Sequence, residues 1–208
     1  MKLIDAIKTK GGKIKIPNSS RNDLPELFND MGYKVGAEIG VFKGEFSKRL
    51  CDAGLKVYGI DPYLSYSAYP HPKGQERVDY LYEHAKRILT PFTDNGQYEF
   101  IRKMSMDAIG DFKDESLDFV YIDAIHTFRY IAEDLVEWTK KVRKGGIISG
   151  HDYVHAPEEK WTVIHVKHVL DAYISCFGIN TYYILDGANT NHPIAGKDKI
   201  SSWFFLRE

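Results

Sequence analysis

Apolar positions along this chain alternate between two periods. Short, strand-length apolar runs fall at residues 34–40 (KVGAEIG), 56–60 (KVYGI), 98–103 (YEFIRK), 118–122 (DFVYI) and 147–149. Segments with helical spacing lie between them. Residues 44–53 place Phe46 and Leu50 at i, i+4. Residues 75–90 gather Val78, Leu81, Tyr82, Ala85, Ile88 and Leu89 on one side. Residues 127–143 do the same with Phe128, Ile131, Leu135, Trp138 and Val142. A short helix over 21–31 precedes the first strand and ends at Gly32, Lys144-Gly145-Gly146 closes the long helix, and 163–177 predict a last one. Residues 62–74, with Tyr63, Tyr66, Tyr69 and His71 among prolines and glycines, read as a loop.

Strands that alternate with helices imply crossover connections and a mainly parallel sheet. Two late strands, 181–185 and 201–206, have no helical pattern between them and predict an antiparallel hairpin at one edge. The expected fold class is therefore a Rossmann-like, doubly wound α/β sheet of seven strands, mainly parallel, with an antiparallel C-terminal hairpin. It occupies residues 21–208. Residues 1–20, short, Lys-rich and unpatterned, are expected to form an N-terminal arm or lid.

Composition narrows the function. The 208 residues carry Lys+Arg 28 against Asp+Glu 29, a formal net charge of -1. That balance offers no field to draw in a polyanion, so nucleic acid is not an expected partner. The densest basic run, Lys140, Lys141, Arg143 and Lys144, sits where a helix C-terminus is expected and suits its dipole. Two cysteines, Cys51 and Cys176, form neither a disulfide framework nor a metal finger. No apolar run approaches the length of a membrane helix, and the first residues lack the apolar stretch of a signal peptide. The expectation is a cytoplasmic protein with no membrane partner. Its oligomeric state stays open, a homodimer included.

In an open α/β sheet, ligands bind beyond the C-terminal ends of the strands. The residues that fall there are small, polar or acidic. Glu38-Ile39-Gly40-Val41-Phe42-Lys43-Gly44 follows the first strand. Gly40 permits a sharp turn and close approach, and Gly44 opens a helix whose first amides attract negative charge. The pattern is E-x-G-x-x-x-G. A pyrophosphate would be repelled by Glu38, whereas a cationic amino-acid group would suit it. Asp61 ends the second strand 21 residues beyond Gly40, the place where an acid accepts bonds from ribose hydroxyls. An Asp-Pro turn is its plainer reading. Tyr63 either stacks on a base or covers the loop. Ser105-Met106-Asp107 follows the third strand: Met106 suits a flat ring, while Ser105 or Asp107 either bonds a base amine or caps the next helix. Asp123, Ala124 and His126 follow the fourth strand, and His151 and Asp152 the fifth.

The order EIGVFKGEFS, YGIDPY, VYIDAIHTFRYIAEDLVEW and KGGIISGHDY resembles the class I S-adenosylmethionine (SAM)-dependent methyltransferases. More narrowly it resembles their small-molecule branch, marked by I-D-x-x-H-x-[YF] and G-G-x-x-x-G-H-D-Y. The resemblance covers residues 34–206. It implies SAM as cofactor and methylation of a small hydroxylated acceptor, such as a sugar or phenol. It implies that Glu38, Gly40, Val41, Phe42 and Gly44 serve the amino-acid end of SAM, Asp61 and Tyr63 its nucleoside, and Ser105 and Met106 its adenine. Asp123 and Ala124 would lie beside the transferred methyl. His126, His151 and Asp152 become the catalytic candidates, histidine being suited to remove a proton near neutral pH. Related O-methyltransferases hold a divalent metal with acids at the positions of Asp123 and Asp152. They usually add a third Asp or Asn where this chain has Tyr153, which argues against a metal unless His126 or His151 supplies the missing ligand. Two other readings remain open at this stage: an NAD-dependent oxidoreductase, and a binding module without chemistry.

Overall fold

A computed structural model describes residues 2–65, 74–154, 163–187 and 200–208. Its centre is one eight-stranded sheet. In chain order the elements are α1 (Leu3–Ala6), β1 (Gly12–Pro17), α2 (Leu24–Asp30), β2 (Val35–Ile39), α3 (Glu45–Asp52), β3 (Lys56–Ile60), α4 (Gln75–Asp94), β4 (Tyr98–Ile101), α5 (Ser105–Ala108), β5 (Leu117–Ile122), α6 (Phe128–Lys141), β6 (Val142–Gly150), α7 (Val166–Cys176), β7 (Thr181–Asp186) and β8 (Ser202–Leu206). The sheet runs β1-β7-β8-β6-β5-β2-β3-β4. Strands β2 to β6 pair in parallel, and β8 pairs antiparallel with both β6 and β7. The α/β class and the antiparallel hairpin are as expected from the sequence.

The strand count is not. The sheet has eight strands where seven were expected, because residues 12–17 add β1 along the outer side of β7. Segment 1–20 is thus built into the sheet, with Ile16 buried and Lys13, Lys15 and Pro17 exposed. Lysine and proline are the residues that blunt an edge against further pairing, and here they hide the strand from a pattern reading. The C-terminal hairpin is consequently flanked by β1 and is not itself the edge. Helix α4 runs past the expected end at residue 90 and through Pro91, with Phe92 still packed against the core.

Alternation along the central strands feeds two helical layers. On β5, Phe119 and Tyr121 face the layer of α2, α3 and α4, while Val120 and Ile122 face that of α6 and α7. Phe119 stacks on Phe28 of α2 at 4.2 Å between ring centroids. The chain leaves β2 toward β3 and β4, then returns to lay β5 on the other side of β2. That reversal opens a crevice beyond the C-terminal ends of β2 and β5, where open α/β sheets take their ligands. No helix among the described residues is long and apolar enough to cross a membrane.

Candidate active site

At the crevice the backbones of β2 and β5 nearly touch. Gly40 has φ +92°, and a Cβ added to it would lie 2.2 Å from the Asp123 carbonyl oxygen. Only glycine fits there. Gly44, at φ +74°, caps α3, and its absent side chain leaves room for Leu89 and Ala85 of α4. Between them Asp61 organises the turn. Its Oδ2 accepts the amides of Val41 and Phe42, each at 3.0 Å, and its Oδ1 accepts that of Tyr63 at 2.9 Å. Both Phe42 and Tyr63 hold positive φ, a conformation these amide bonds help to fix. Burial pushes the Asp61 carboxyl up, and the amides of Phe42, Tyr63 and Val41 oppose it.

A cavity of about 550 Å³ opens from this turn, lined among others by Gly40, Asp61, Met106, Asp123, Ala124 and Asp134. Its size falls within the range of small-ligand sites. Phe42, Tyr63 and Ser105 also reach it, but two of them are engaged elsewhere. The Tyr63 ring is buried against Tyr82 and Phe100, and its hydroxyl donates to the Phe42 carbonyl. Ser105 makes no capping bond; its hydroxyl donates to Asp134 and accepts from Trp138 Nε1. Glu38, Val41 and Gly44 lie behind the wall and do not line this cavity. Glu38 is fully buried and receives the Ser47 hydroxyl of α3. Burial pushes its carboxyl up to about 8, against the pull of Ser47.

The catalytic candidates converge beside the cavity at Asp123. His126 Nε2 lies 3.0 Å from Asp152 Oδ2 and 3.5 Å from Asp123 Oδ1. It is buried without a hydrogen bond of good geometry among the described residues. Burial disfavours its charged form, but Asp123 and Asp152 outweigh burial and raise its pKa. Asp152 also approaches His151 Nδ1 at 3.4 Å. Burial pushes the Asp152 carboxyl up, yet His151 and His126 win and hold it below the usual carboxylate range. Asp152 has φ +55°, a costly state for a non-glycine residue. The loop carrying His126 is pinned by His165, whose amide donates to the His126 carbonyl and whose Nδ1 accepts the Phe128 amide.

One ligand atom each from Asp123, His126 and Asp152 lies within 4.8 Å of the others. Two carboxylates and an imidazole form a donor set that a divalent cation accepts, and the unpartnered His126 Nε2 fits such a group. Tyr153 is not free to complete the set. Its hydroxyl accepts from Lys13 at 2.8 Å and donates to Asp171 at 2.6 Å.

Two residues were missed by the sequence reading. Arg21 sits just after β1 and donates to Asp123 Oδ2 at 3.0 Å; nothing local marks it. Asp134 was legible in principle. Ile131, Asp134, Leu135 and Trp138 share one face of α6, so an acid interrupts an otherwise apolar stripe. Tyr66, Tyr69 and His71 of the loop read at 62–74 lie outside the described residues. The basic run at the end of α6 is largely paired with acids: Lys140 with Glu137, Lys141 with Asp114 and Arg143 with Asp118.

A glycine turn, a strand-end acid and a polar rim at the switch point are how such a sheet takes a nucleoside ligand, and the family match makes the chain a class I, SAM-dependent methyltransferase. The chain belongs to the methyltransferase domain family, whose sequence model matches residues 37–153. That membership decides against the dehydrogenase reading. No curated protein matches the sequence. Among solved structures the chain is similar to an O-methyltransferase from Bacillus cereus in complex with S-adenosylhomocysteine (SAH), with 16% identity, 90% of this chain and 80% of that one covered, and a TM-score of 0.65. It is also similar to the O-methyltransferase TomG from Streptomyces achromogenes, involved in tomaymycin synthesis and bound to SAM (16% identity, 90% and 79% covered, TM-score 0.63). A candidate rRNA-methylase from Clostridium thermocellum shares the fold as well, at 12% identity, 91% and 98% coverage and a TM-score of 0.61. At these identities the likeness is one of fold.

Proposed function

We propose that the protein binds SAM in the cavity at the switch point and methylates a hydroxyl oxygen of a small acceptor. The observation that carries this reading is the adjacency of two features. The cavity runs along Gly40, Asp61 and Asp123, and His126 with Asp152 stands at the Asp123 end. When bound, SAM supplies a methyl carbon already activated by its positive sulfur. The protein's task is then to hold both partners in line and to remove a proton.

Asp61, kept in place by three amides, offers the remaining lone pair of Oδ1 to a ribose hydroxyl. Gly40 lets the ligand approach the backbone. Asp123 and Asp152 favour a cationic centre beside them by simple attraction. His126 accepts the acceptor's proton at Nε2, and the two carboxylates stabilise the imidazolium that results. The acceptor is a small hydroxylated compound, a reading supported by the net charge of -1 and by the intramolecular ion pairs of Lys140, Lys141 and Arg143 in the basic run at the α6–β6 junction. Calorimetry is the test. Saturable binding of SAM and SAH in the micromolar range is expected; absence of binding at millimolar ligand would end the assignment.

The buried His126 Nε2, which lies between two carboxylates and makes no hydrogen bond of good geometry among the described residues, favours a second reading in which this nitrogen is a metal ligand instead of the base. Asp123, His126 and Asp152 would hold a divalent cation, which would supply Lewis acidity toward the acceptor oxygen. Binding of Mn²⁺, followed by its paramagnetic signal in the protein and in Asp152→Asn, tests this apart from activity. Equal binding by both forms would refute it.

A further inference from the structure

Beside the end of β4, at the opposite end of the strand order from β6 among the parallel central strands, three polar side chains form a directed chain. Trp138 Nε1 lies 2.7 Å from Ser105 Oγ, and Ser105 Oγ is hydrogen bonded to Asp134 Oδ1. An indole N–H can only donate. The Ser105 oxygen therefore accepts from Trp138, and its one proton is directed to Asp134. Ser105 has no proton left to offer a ligand. Asp134 is 3% exposed and lines the cavity. Its hydrogen bond among the described residues is through Oδ1 alone, which leaves Oδ2 as an acceptor. Among the described residues no cation is paired with it, and burial pushes its carboxyl up to about 7, with Ser105 opposing and Glu133 adding to the rise. Above about pH 7, where the carboxyl is ionised, Oδ2 faces the cavity as an acceptor that a ligand N–H would complete.

The position within the cavity says which N–H. Asp61 stands at the turn that would hold the ribose, Met106 offers a polarizable side chain to a flat ring, and Asp134 of α6 is bonded to Ser105 of α5, which follows the edge strand β4. Resting on the SAM reading above, we infer that Asp134 accepts the exocyclic amine of adenine at Oδ2 and selects a 6-amino over a 6-oxo purine. Of the other acids lining this part of the cavity, Glu133 pairs with Arg129 and Glu137 with Lys140, while Asp107 is exposed on α5 and is not held by any side chain among the described residues.

The test compares SAH with S-inosylhomocysteine, which differs in carrying a 6-oxo group, by calorimetry on the full chain. The wild type should prefer SAH by about tenfold or more, the size of one well-made polar contact. Asp134→Asn should invert the preference. Because Trp138 fixes the Ser105 proton, the new amide must turn its oxygen to Ser105 and its NH2 into the cavity. SAH should then weaken by about tenfold and the inosyl ligand should gain, while Asp107→Asn leaves the ratio unchanged. An unchanged ratio in Asp134→Asn, with both affinities kept or both reduced alike, would overturn the inference, as would a ratio that moves only in Asp107→Asn. Should Asp134→Asn fail to fold, the wild type decides alone: an SAH analogue whose purine bears hydrogen at position 6 must bind about tenfold more weakly, and equal binding overturns the inference. A wild type that binds none of these nucleosides instead sinks the SAM reading itself.

Discussion

Gly40 packs against Asp123 so closely that the two strand ends share one space: a Cβ on Gly40 would sit 2.2 Å from the Asp123 carbonyl oxygen and 2.8 Å from the Ala124 Cα. This contact sets how near β2 and β5 come at the crevice. Gly40→Ala must push Asp123 outward while holding a positive φ. The expected cost is about 2–4 kcal/mol, the sum of overpacking and of left-handed strain, together with loss of SAH binding. Gly54→Ala is the control, because Gly54 has φ +85° but open space around its missing Cβ. It should cost about 1 kcal/mol and leave binding intact. Chemical denaturation of both variants separates the clash from the dihedral strain; equal losses would refute the close-packing account.

Asp61 makes the second prediction through the number of donors it faces. Both of its oxygens accept backbone amides. An asparagine cannot satisfy this arrangement, because its NH2 must confront an N–H whichever way the amide turns. Asp61→Asn should therefore be nearly as damaging as Asp61→Ala, at about 1–3 kcal/mol of stability. If Asp61 holds the ribose as proposed, SAH affinity should also fall by about ten- to a hundredfold. An Asp61→Asn protein that binds SAH like the wild type would show that the carboxylate only shapes the loop.

These strand-end features were legible because a parallel strand buried on both faces reads as an unbroken apolar run, so a glycine or an acid at its end stands out. Gly40, Asp61, Asp123 and Asp152 each end such a run. Strand β1 was illegible for the opposite reason. Its two isoleucines sit between exposed lysines, and its partner β7 is remote in sequence, Gly12 pairing with Thr181, so nothing local announces the pairing. Arg21 was illegible because its role depends on where β1 delivers the chain. Asp134 was overlooked although it breaks the apolar face of α6, since a helix pattern is commonly read for its apolar members alone. Glu38 was placed correctly at the end of β2 but not in depth: the structure buries its carboxyl behind the turn against Ser47.

That depth gives Glu38 a pH signature. Burial pushes its carboxyl up to about 8 in the folded chain, against 4.5 for an unperturbed glutamate. Between those values the folded state keeps a proton that the unfolded state has released. The associated stability is complete below pH 4.5 and is lost as pH rises toward 8. The slope is at most about 1.4 kcal/mol per pH unit. Glu38→Gln fixes the neutral form in the same shape and should remove this decline. Urea denaturation from pH 5 to pH 8.5 should show the variant gaining on the wild type as pH rises. Parallel curves would mean that Glu38 is ionised in the fold.

Tyr153 supplies the last prediction. It follows strained Asp152, and its hydroxyl ties Lys13 of β1 to Asp171 of α7, where Tyr182 and Lys167 also converge. Strained residues persist where their surroundings over-determine them, and this bracket holds the residue after Asp152 from two sides. Tyr153→Phe removes the hydroxyl but keeps the ring, so it should cost about 1–3 kcal/mol, charged partners being involved. Lys13→Met should cost less than that. Combined, the two changes should destabilise by less than their sum, since each breaks the same contact, and a coupling of about 0.5 kcal/mol or more is expected. Strict additivity would show that the N-terminal strand does not support the catalytic loop. The same bracket keeps the Tyr153 oxygen on Lys13 and Asp171, so Mn²⁺ affinity in Tyr153→Phe should move only as far as Asp152 moves. Affinity lost in full on removal of that hydroxyl would instead make Tyr153 itself a ligand.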